Sequence, residues 1–421
     1  MPEPRPTSRP PDRRLPGDAA WAVGLLLLAL ALRIGFVLVQ QPGFYFEDSL
    51  DYDRAARGLL ETGHFNTRYY RLPLYPVFMA GCYGLFGTGL LPLRIVQALI
   101  GTGTCALVWL TGRRLFGSRP GLLALFGCAV FPVHVVMSGI EYPVVLGTFL
   151  IWIVLWLHTR RDAEGVWPAG PLVGAAFVTV LASTLFEGGI VVGAFVVLLI
   201  LLERSPARIR LRQIGILAAV GSIILLPWLT TLARHRDYRP ILLKAAMHLP
   251  SAPGVDAPLW QGSGANLLKV KLAGMAENPA WTLNHFWVEF WHFWDPYPDR
   301  LVSAEEGFRE ALHSRESRMV VRNSLVGDTP RLLYAICFTV LLGGAGAGAV
   351  LAWRGVTKAR FLVGWPVFLG LCYSPFFTQM RYRIPADPAF ILLAACALDW
   401  ALRRLRSRWL DRPPAASSAQ H

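Results

Sequence analysis

The sequence predicts an all-α protein that crosses a membrane about ten times. Hydrophobic residues make up 54% of its 421 positions and charged residues only 16%, whereas soluble domains carry about 25% charged residues. The mean hydropathy is +0.43. Apolar runs long enough to cross a hydrocarbon layer of roughly 30 Å recur along most of the chain. Together these observations favour a polytopic membrane protein over a soluble domain.

Length and hydropathy predict where the spanning helices lie. We expect them at residues 20–40, 90–111, 120–138, 142–158, 168–186, 188–203, 213–232, 330–352, 361–378 and 386–402. The run at 21–39 is too long for a signal-peptide core and lacks a small-residue cleavage site, so we expect it to be retained. The predicted transmembrane domain is therefore 20–402. It follows a Pro- and Arg-rich cytoplasmic segment, 1–19, expected to be disordered, and precedes a basic cytoplasmic tail, 403–421.

Basic residues cluster on one side of this alternating ten-helix arrangement. They are Arg13, Arg14, Arg113, Arg114, Arg160, Arg161, Arg204, Arg208, Arg210, Arg212, Arg354, Lys358, Arg360, Arg403, Arg404, Arg406 and Arg408. The positive-inside rule makes that side cytoplasmic and places both termini there. Membrane orientation thus explains the net charge of +14. We expect membrane lipids as contacts and no nucleic-acid partner.

Two long polar segments, 41–89 and 233–329, face the opposite, external side. The first contains two stretches that we expect to lie as interfacial helices. The stretch 48–62 is amphipathic, and 73–86 is apolar but short and starts with a proline. If 73–86 crossed the membrane, Arg113 and Arg114 would lie on the external side, against the positive-inside rule. The second segment ends in an aromatic run, 281–294, that suits the headgroup layer.

An acidic cluster follows the first predicted helix directly. Glu47, Asp48, Asp51 and Asp53 fall within seven positions. Desolvation at a low-dielectric boundary makes a carboxylate more basic, which suits a general base. Asp48 is the leading candidate for that role. The alternative is that Asp48 only caps a helix beginning near Ser49, because Asp and Ser are both preferred N-caps.

Arginines on the predicted external side are candidates for binding a phosphate. Arg71 stands before two prolines and among three tyrosines, a pattern typical of a stiff turn that presents a guanidinium. Arg381 and Arg383 oppose the orientation bias, which points to an anionic headgroup or diphosphate as their ligand. The alternative for Arg71 is interfacial anchoring, and for the other two it is ordinary contact with lipid headgroups.

Two glutamates, Glu141 and Glu187, lie at predicted external helix ends in apolar surroundings. Ionisable residues at membrane depth are candidates for function, although simple hydration at the interface would also explain both. The six cysteines form no CxxC pair, and the histidines show no ligand spacing such as HExxH. The sequence therefore predicts neither a dedicated metal site nor a disulfide framework.

A series of short motifs follows in order along residues 20–402. They are Asp48-Ser49-Leu50-Asp51-Tyr52, Arg71-Leu72-Pro73-Leu74-Tyr75-Pro76, Arg94-Ile95-Val96-Gln97-Ala98, Gly112-Arg113-Arg114-Leu115-Phe116-Gly117, Ser138-Gly139-Ile140-Glu141, Pro227-Trp228 and Arg381-Tyr382-Arg383-Ile384-Pro385. In order and topology the chain resembles the GT-C superfamily of polyprenyl-phosphosugar glycosyltransferases. It is similar in particular to protein O-mannosyltransferases and lipid A aminoarabinose transferases.

The resemblance implies an enzyme of the bacterial inner membrane. It implies that Asp48 is the general base and that a sugar moves, with inversion, from a polyprenyl-phosphate donor to a lipid, glycan or protein acceptor. No nucleotide is implied, which agrees with the lack of a Gly-rich phosphate loop. The expected donor-phosphate contacts are Arg71, Arg381 and Arg383, and the expected supporting residues are Glu47, Asp51, Tyr52, Tyr75, Glu141 and Tyr382. Glu47 and Asp48 are also able to hold a divalent cation through phosphate, and that requirement stays open.

The chain departs from the family pattern in its acidic motif. Relatives often carry Asp-Glu, whereas here Ser49 follows Asp48 and the second acid precedes it as Glu47. The alternative function is a transporter or flippase of lipid-linked sugars, which would also use external basic residues and an apolar groove. The lack of an internal repeat and of polar or broken helices near the midplane disfavours that alternative.

Overall fold

The computed structural model describes residues 17–40, 43–65, 72–162, 164–234, 249–254, 264–296, 328–356, 359–376 and 378–410. Every regular element in these residues is an α-helix. The helices are α1 Asp18–Val39, α2 Glu47–Thr62, α3 Leu74–Phe86, α4 Leu90–Phe116, α5 Ser118–Val130, α6 Pro132–Met137, α7 Val144–His158, α8 Ala169–Ser183, α9 Glu187–Leu202, α10 Ala207–Arg234, α11 Gly264–Glu277, α12 Pro279–Trp294, α13 Asp328–Gly355, α14 Arg360–Tyr373, α15 Met380–Arg383 and α16 Asp387–Leu410. Arg71, residues 1–16 and 411–421 of the predicted terminal segments, and most of segment 233–329 lie outside the described residues.

The described helices form a polytopic membrane architecture. Four of them contain runs long and apolar enough to cross a bilayer: α1, α4, the first 20 residues of α10 and the last 24 of α13. Six shorter apolar helices accompany them, namely α3, α5, α7, α8, α9 and α14. Each of the ten predicted spans coincides with helical structure. The prediction of an all-α polytopic membrane protein is therefore confirmed.

Several element bounds differ from the hydropathy prediction by five residues or more: α4 ends at Phe116, α10 begins at Ala207, α14 ends at Tyr373, and two further cases have a clear physical reason. The span at 120–138 is divided at Phe131 into α5 and α6, because Pro132 has no N–H to donate and its ring clashes with the preceding turn. The last helix continues beyond residue 402 to Leu410. This end is rich in arginine and leucine, which are good helix formers, and the side chains of residues 402–407 are exposed.

The predicted interfacial helices of segment 41–89 are present as α2 and α3. α2 begins after an extended Phe46, and no side chain caps its first turn. The N-cap interpretation of Asp48 is therefore not realised. α2 ends at Gly63, whose φ of 73° is a left-handed conformation that glycine adopts at little cost. α2 packs on α3, and the Tyr83 hydroxyl donates to Asp53 Oδ1 at 2.7 Å.

Close helix contacts in the bundle depend on small residues. α13 packs extensively on α16, as does α4 on α5. At Gly348 of α13 a methyl group would overlap the carbonyl oxygen of Leu393 in α16, so only glycine allows this approach. Small residues at helix interfaces are the usual means by which membrane helices reach such short separations. The largest fully buried side chains of the described residues are those of Trp152 and Trp365.

Polar contacts show which helix ends meet at one end of the bundle. The contacts are Ser118 to Asp18, Arg114 Nε to the Thr159 carbonyl (2.9 Å), Arg161 Nη1 to Glu203 Oε1 (2.7 Å) and Arg119 Nε to Asp399 Oδ1 (3.5 Å). They bring together the starts of α1 and α5 and the ends of α4, α7 and α9, with the C-terminal half of α16. This is the arginine-rich end that the charge pattern assigned to the cytoplasm, an orientation that stays a prediction.

The other end of the bundle gathers the predicted external elements. The Gln40 amide, after α1, donates to the Gly139 carbonyl at 2.7 Å. The backbone N–H of Leu74, at the start of α3, donates to the Thr184 carbonyl after α8 at 3.0 Å. These contacts bring the α6–α7 turn and α3 to the same end as the start of α2, and this end carries Asp48.

Candidate active site

Asp48 lies in the first turn of α2 and joins three separate parts of the chain. Its Oδ2 accepts a hydrogen bond from the Tyr142 hydroxyl at 3.1 Å and one from Arg381 Nη1 at 3.3 Å. The side chains of Asp48 and Arg381 are 20% and 22% exposed, respectively. The carboxylate is therefore paired with a cation and still reachable from outside the protein.

Arg381 lies against aromatic rings as well as against Asp48. Its guanidinium carbon is 5.1 Å from the ring centre of Tyr142 and 5.5 Å from that of Tyr382, distances typical of cation–π contacts. The ring of Tyr382 stacks in turn on Tyr373, with centres 4.5 Å apart and planes within 5°. Burial lowers the pKa of Arg381, but the neighbouring tyrosines and Asp48 raise it above its ordinary value. The guanidinium is a permanent cation of this site.

The turn between α6 and α7 presents Tyr142, and two polar contacts hold this turn against α2 and α4. Ser49 Oγ donates to the Glu141 carbonyl at 2.7 Å. Arg94 Nε donates to Glu141 Oε1 at 2.5 Å, while Arg94 Nη2 donates to the Gly43 carbonyl at 2.6 Å. Burial raises the pKa of Glu141, and Arg94 acts in the opposite direction. Glu141 is fully buried, so simple hydration at the interface does not explain it.

Tyr52 and Tyr75 connect the cluster to α3 and α4. The two rings pack edge to face with centres 4.9 Å apart. The Tyr75 hydroxyl donates to Gln97 Oε1 at 2.7 Å, and the Gln97 amide donates to the Ile140 carbonyl at 2.9 Å. This chain of contacts links α2, α3 and α4 to the turn that carries Tyr142. The rings therefore hold the site's elements together rather than line its open side.

Arg383 has surroundings unlike those of Arg381. Its side chain is only 2% exposed, and its Nη1 donates to the carbonyls of Phe293 and Asp295, each at 2.9 Å. Its Nη2 donates to the Tyr334 hydroxyl. These partners belong to α12, the residue that follows it, and α13. The structure thus places Arg383 as a buried link between helices and does not bring it to the Asp48 cluster.

The segment that carries both arginines is anchored before and after them. The backbone N–H of Thr378 donates to Glu289 Oε2 at 2.7 Å. The indole N–H groups of Trp152 and Trp365 both donate to the carbonyl of Pro385 at 3.2 Å. Because these contacts are buried, they restrict where α15 lies. They therefore help to place Arg381 beside Asp48.

The remaining predicted site residues are distributed as follows. Asp51 is half-buried on α2. Arg71 lies outside the described residues, as does the side chain of Glu47. Asp53 forms a separate pair with Arg57 Nε at 2.8 Å. The described residues contain no group of three or more His, Cys, Asp or Glu side chains placed to hold a metal ion.

Several residues of the cluster were not identified as functional from sequence. Tyr142 directly follows Glu141, and Arg94 is the first residue of one of the ordered motifs. The sequence around each of them does not show which residue it contacts. Trp152 and Trp365 are ordinary apolar positions in spanning helices. No spacing rule relates any of them to Asp48, because their contacts join distant parts of the chain. Chemically, the assembled site offers a carboxylate with a fixed cation beside it, at the end of the bundle opposite the arginine-rich end.

Comparison with known proteins supports this fold. Residues 71–230 match the family model described as dolichyl-phosphate-mannose-protein mannosyltransferase. The structure of ArnT from Cupriavidus metallidurans bound to undecaprenyl phosphate aligns with a TM-score of 0.55 and 16% identity, covering 93% of this chain and 63% of that chain. The archaeal oligosaccharyltransferase AglB from Archaeoglobus fulgidus, in complex with an inhibitory peptide and a dolichol-phosphate, aligns with a TM-score of 0.56 and 15% identity. That alignment covers 96% of this chain and 53% of that chain.

These similarities are structural rather than close in sequence. No curated protein sequence matches the chain, and the chain spans between half and two thirds of the length of the two solved structures. The family model and the structural matches agree with the motifs from which the resemblance was inferred. The predicted resemblance is therefore confirmed: this membrane protein shares the fold of ArnT and AglB, and over residues 71–230 it is similar to the dolichyl-phosphate-mannose-protein mannosyltransferases.

Proposed function

We propose that this protein is an inverting membrane glycosyltransferase. It moves a sugar from a polyprenyl-phosphate donor to a lipid, glycan or protein acceptor at the end of the bundle that carries Asp48. The pair formed by Asp48 and Arg381, with 3.3 Å between Oδ2 and Nη1, is the observation that carries this proposal. It supplies a proton acceptor and a phosphate-binding cation side by side. The undecaprenyl phosphate bound to ArnT and the dolichol-phosphate bound to AglB support the class of donor.

Asp48 acts as the general base in the proposed reaction. Its carboxylate takes the proton of the acceptor hydroxyl or amine while the acceptor atom attacks the anomeric carbon of the sugar. The bond between that carbon and the phosphate oxygen breaks, and its electron pair leaves with the polyprenyl phosphate. A single displacement of this kind inverts the anomeric centre. General base catalysis by a positioned carboxylate contributes about 10²–10⁴ in rate.

Arg381 stabilises the negative charge that develops on the leaving phosphate. A cation already fixed in place, in a site with little water, stabilises such charge more strongly than solvent does. Arg383 is buried among its own partners, so we assign it to bracing α15 rather than to direct phosphate contact. Arg71 and Glu47 stay candidates for the donor site, and the membrane of a bacterial cell stays the expected location. Whether the transferred sugar is a hexose or a pentose depends on donor contacts outside this cluster.

The test is release of polyprenyl phosphate by purified protein in lipid nanodiscs, given a panel of polyprenyl-phosphate sugars and membrane acceptors. We expect wild type to release it and Asp48→Asn to lose about 100-fold or more of the rate, because an amide cannot take the proton. Asp53→Asn is the matched control, since it removes a carboxylate of the same helix that is engaged by Tyr83 and Arg57.

Three outcomes of this assay would contradict the proposal or change its interpretation. Full activity in Asp48→Asn would reject Asp48 as the base. Equal loss in Asp53→Asn would show that disturbing α2 alone is sufficient to stop turnover. No release by wild type with any donor, together with movement of a donor across a vesicle membrane, would favour a transporter over a transferase.

A further inference from the structure

We propose that the arginine-rich end of the bundle binds the phosphate groups of anionic phospholipids through four arginines that lie on tryptophan rings. They are Arg113, Arg160, Arg360 and Arg404. Lipid binding at this end is independent of the proposed reaction at the other end. The positive-inside rule predicts the side on which basic residues lie, but not which of them meet a lipid. The contacts of each arginine make that distinction.

Each of the four arginines holds its guanidinium carbon over the ring of a tryptophan, at a distance typical of cation–π contacts. The distances to the ring centres are 5.7 Å for Arg113 on Trp109, 4.3 Å for Arg160 on Trp156, 5.1 Å for Arg360 on Trp353 and 5.1 Å for Arg404 on Trp400. In three pairs the arginine follows its tryptophan by four residues, about one helical turn. Because an indole prefers the headgroup level of a bilayer, a guanidinium one turn nearer the helix end reaches the level of the lipid phosphates.

No carboxylate of the described residues pairs with any of these four arginines. Three other arginines at the same end do have such partners. Arg161 Nη1 is 2.7 Å from Glu203 Oε1, and Arg403 Nη2 is 2.7 Å from Asp399 Oδ2. Arg119 Nε is 3.5 Å from the other oxygen of Asp399. The protein thus neutralises one set of arginines itself and leaves the other set to an anion from outside.

Helix α16 shows this separation at two successive residues. Arg403 pairs with Asp399, which is buried and also meets Arg119 of α5. Arg404 lies instead on the ring of Trp400, which is 47% exposed. Successive residues of a helix are about 100° apart around its axis. One arginine therefore turns to a carboxylate of the bundle, and the next turns to an exposed indole.

The ends of α4 and α7 bring several of these cations together. Arg114 Nε donates to the Thr159 carbonyl at 2.9 Å, which places Arg114 beside the residue that precedes Arg160. Arg113 is the neighbour of Arg114 in the chain, and both Arg114 and Arg160 are exposed. The planar guanidinium matches the oxygens of a phosphate with two parallel hydrogen bonds. Cations from two adjacent helix ends can therefore share one phosphate.

A second group lies where α13 and α16 pack together. Contacts between these helices follow the same order along both, namely Phe338 with Phe390 and then Gly348 with Leu393. The helices therefore run in the same direction, and Trp353 (54% exposed) and Trp400 lie towards the same end. Arg360 also donates to the Trp353 carbonyl, from Nε at 3.4 Å and Nη2 at 3.3 Å. These contacts hold the guanidinium over the exposed indole and leave Nη1 for a ligand.

The ligand that this surface fits is the phosphate diester of a phospholipid. Exposed indoles beside the arginines offer an apolar surface, which the glycerol and the first acyl carbons of a lipid can cover. Basic groups between membrane helices on the predicted cytoplasmic side suit anionic headgroups. A zwitterionic headgroup gains less, because no carboxylate of the described residues stands at these arginines to pair with choline. Phosphatidylglycerol should therefore bind more tightly than phosphatidylcholine.

The first measurement is native mass spectrometry of the purified full-length protein in detergent, titrated with phosphatidylglycerol or phosphatidylcholine. We expect wild type to bind phosphatidylglycerol more tightly. In the triple variant Arg113→Gln/Arg160→Gln/Arg404→Gln the dissociation constant for phosphatidylglycerol should rise about fivefold or more, since one arginine near an anionic surface contributes about that factor. Binding of phosphatidylcholine should stay as in wild type. An unchanged affinity for phosphatidylglycerol in this variant would overturn the proposal.

The matched control is Arg119→Gln/Arg161→Gln/Arg403→Gln. It removes the same number of positive charges from the same end, but each of these arginines is paired with a carboxylate. The control should keep the wild-type affinity for phosphatidylglycerol. Equal losses in the two triple variants would mean that net charge alone explains the binding. Inorganic phosphate forms a further arm, and its displacement of bound phosphatidylglycerol at equal concentration would indicate a site for a free anion instead.

A second measurement uses unchanged protein, so it does not depend on the folding of any variant. Wild type in lipid nanodiscs receives phosphatidylglycerol with a photoreactive diazirine near the start of one acyl chain, and peptide mass spectrometry locates the labels. We expect labels at Trp353 and Trp400, and fewer with the matching phosphatidylcholine probe. Equal labelling by both probes, or no labels at this end, would overturn the proposal. Neither measurement involves turnover, so the glycosyltransferase proposal stands or fails separately.

Discussion

Two arginines separated by one residue show how the site is built at the scale of single side chains. Successive residues of a helix are about 100° apart around its axis, so positions i and i+2 point to nearly opposite sides. Arg381 therefore points to Asp48, while Arg383 is buried against Phe293, Asp295 and Tyr334. Both oppose the charge bias of the sequence in the same way, yet only Arg381 lies beside Asp48.

Arg381→Lys tests what the guanidinium adds beyond its charge. Lysine keeps the positive charge but cannot both donate to Asp48 and lie flat against the Tyr142 ring. We expect kcat/KM for polyprenyl-phosphate release to fall about tenfold or more, as losing one hydrogen bond to a charged group predicts. Arg57→Lys is the control, because Arg57 pairs with Asp53 in a similar way outside the cluster. Equal losses in the two variants would argue against a specific role for Arg381.

At the scale of elements, the short helix α15 owes its place to its neighbours rather than to its own length. Four residues are too few for a stable isolated helix. Glu289 holds the chain before it, and Trp152 and Trp365 hold the Pro385 carbonyl after it. These anchors come from α12, α7 and α14. The placement of the phosphate-binding candidate therefore depends on three helices that do not themselves reach the reacting groups.

Replacement of the two tryptophans by phenylalanine should reveal a shared hydrogen-bond acceptor. In Trp152→Phe or Trp365→Phe, the Pro385 carbonyl keeps one indole donor, and we expect a loss of about 1 kcal/mol in the free energy of unfolding. The double variant leaves that buried carbonyl without either donor, so its loss should exceed the sum of the single losses by about 1 kcal/mol.

Denaturant unfolding in detergent, with turnover measured in parallel, checks this cycle. Turnover should follow the same pattern, because α15 carries Arg381. Trp109→Phe is the control, since the Trp109 indole nitrogen has no hydrogen-bond partner in the described residues. Strictly additive losses would mean that the two indoles do not act on one carbonyl.

At the scale of the whole molecule, the bundle has two chemically different ends. One end collects the arginines near α4, α7 and α16, joined by contacts such as Arg161 to Glu203. The other collects α2, α3, α15 and the turn that carries Tyr142. In the proposed reaction, a lipid-linked donor and a membrane acceptor meet at one surface of the bilayer. The orientation of these two ends in the membrane therefore decides on which side the proposed reaction takes place.

Cysteine labelling in cells tests that orientation. Thr62 at the end of α2 and Ser407 near the end of α16 are both exposed and lie at opposite ends of the bundle. In a background without the six native cysteines, Thr62→Cys should react with a membrane-impermeant maleimide in intact spheroplasts. Ser407→Cys should react only after lysis, because the positive-inside rule places the arginine-rich end in the cytoplasm. The reverse pattern would invert the predicted topology and move the site to the cytoplasmic face.

The sequence by itself determined the class of the protein, the positions of its helices and the loop that carries the candidate base. These properties follow from local composition. The length of an apolar run decides whether it can cross a bilayer, and the placement of the arginines predicts which loops lie on the same side of the membrane. The ordered motifs also indicated a resemblance to proteins that share this fold. Asp48 could be selected because its acidic neighbourhood is contiguous in the chain.

Only the tertiary structure decided which residues Asp48 meets. Tyr142 and Arg381 are 94 and 333 positions away from it, and no periodicity or spacing extends over such separations. The burial of Glu141 against Arg94, and the division of labour between Arg381 and Arg383, likewise depend on which helices pack together. Local sequence patterns determine where the helices lie. The contact partners of a side chain depend on how the helices pack, because contacts between distant segments exist only once the bundle has formed.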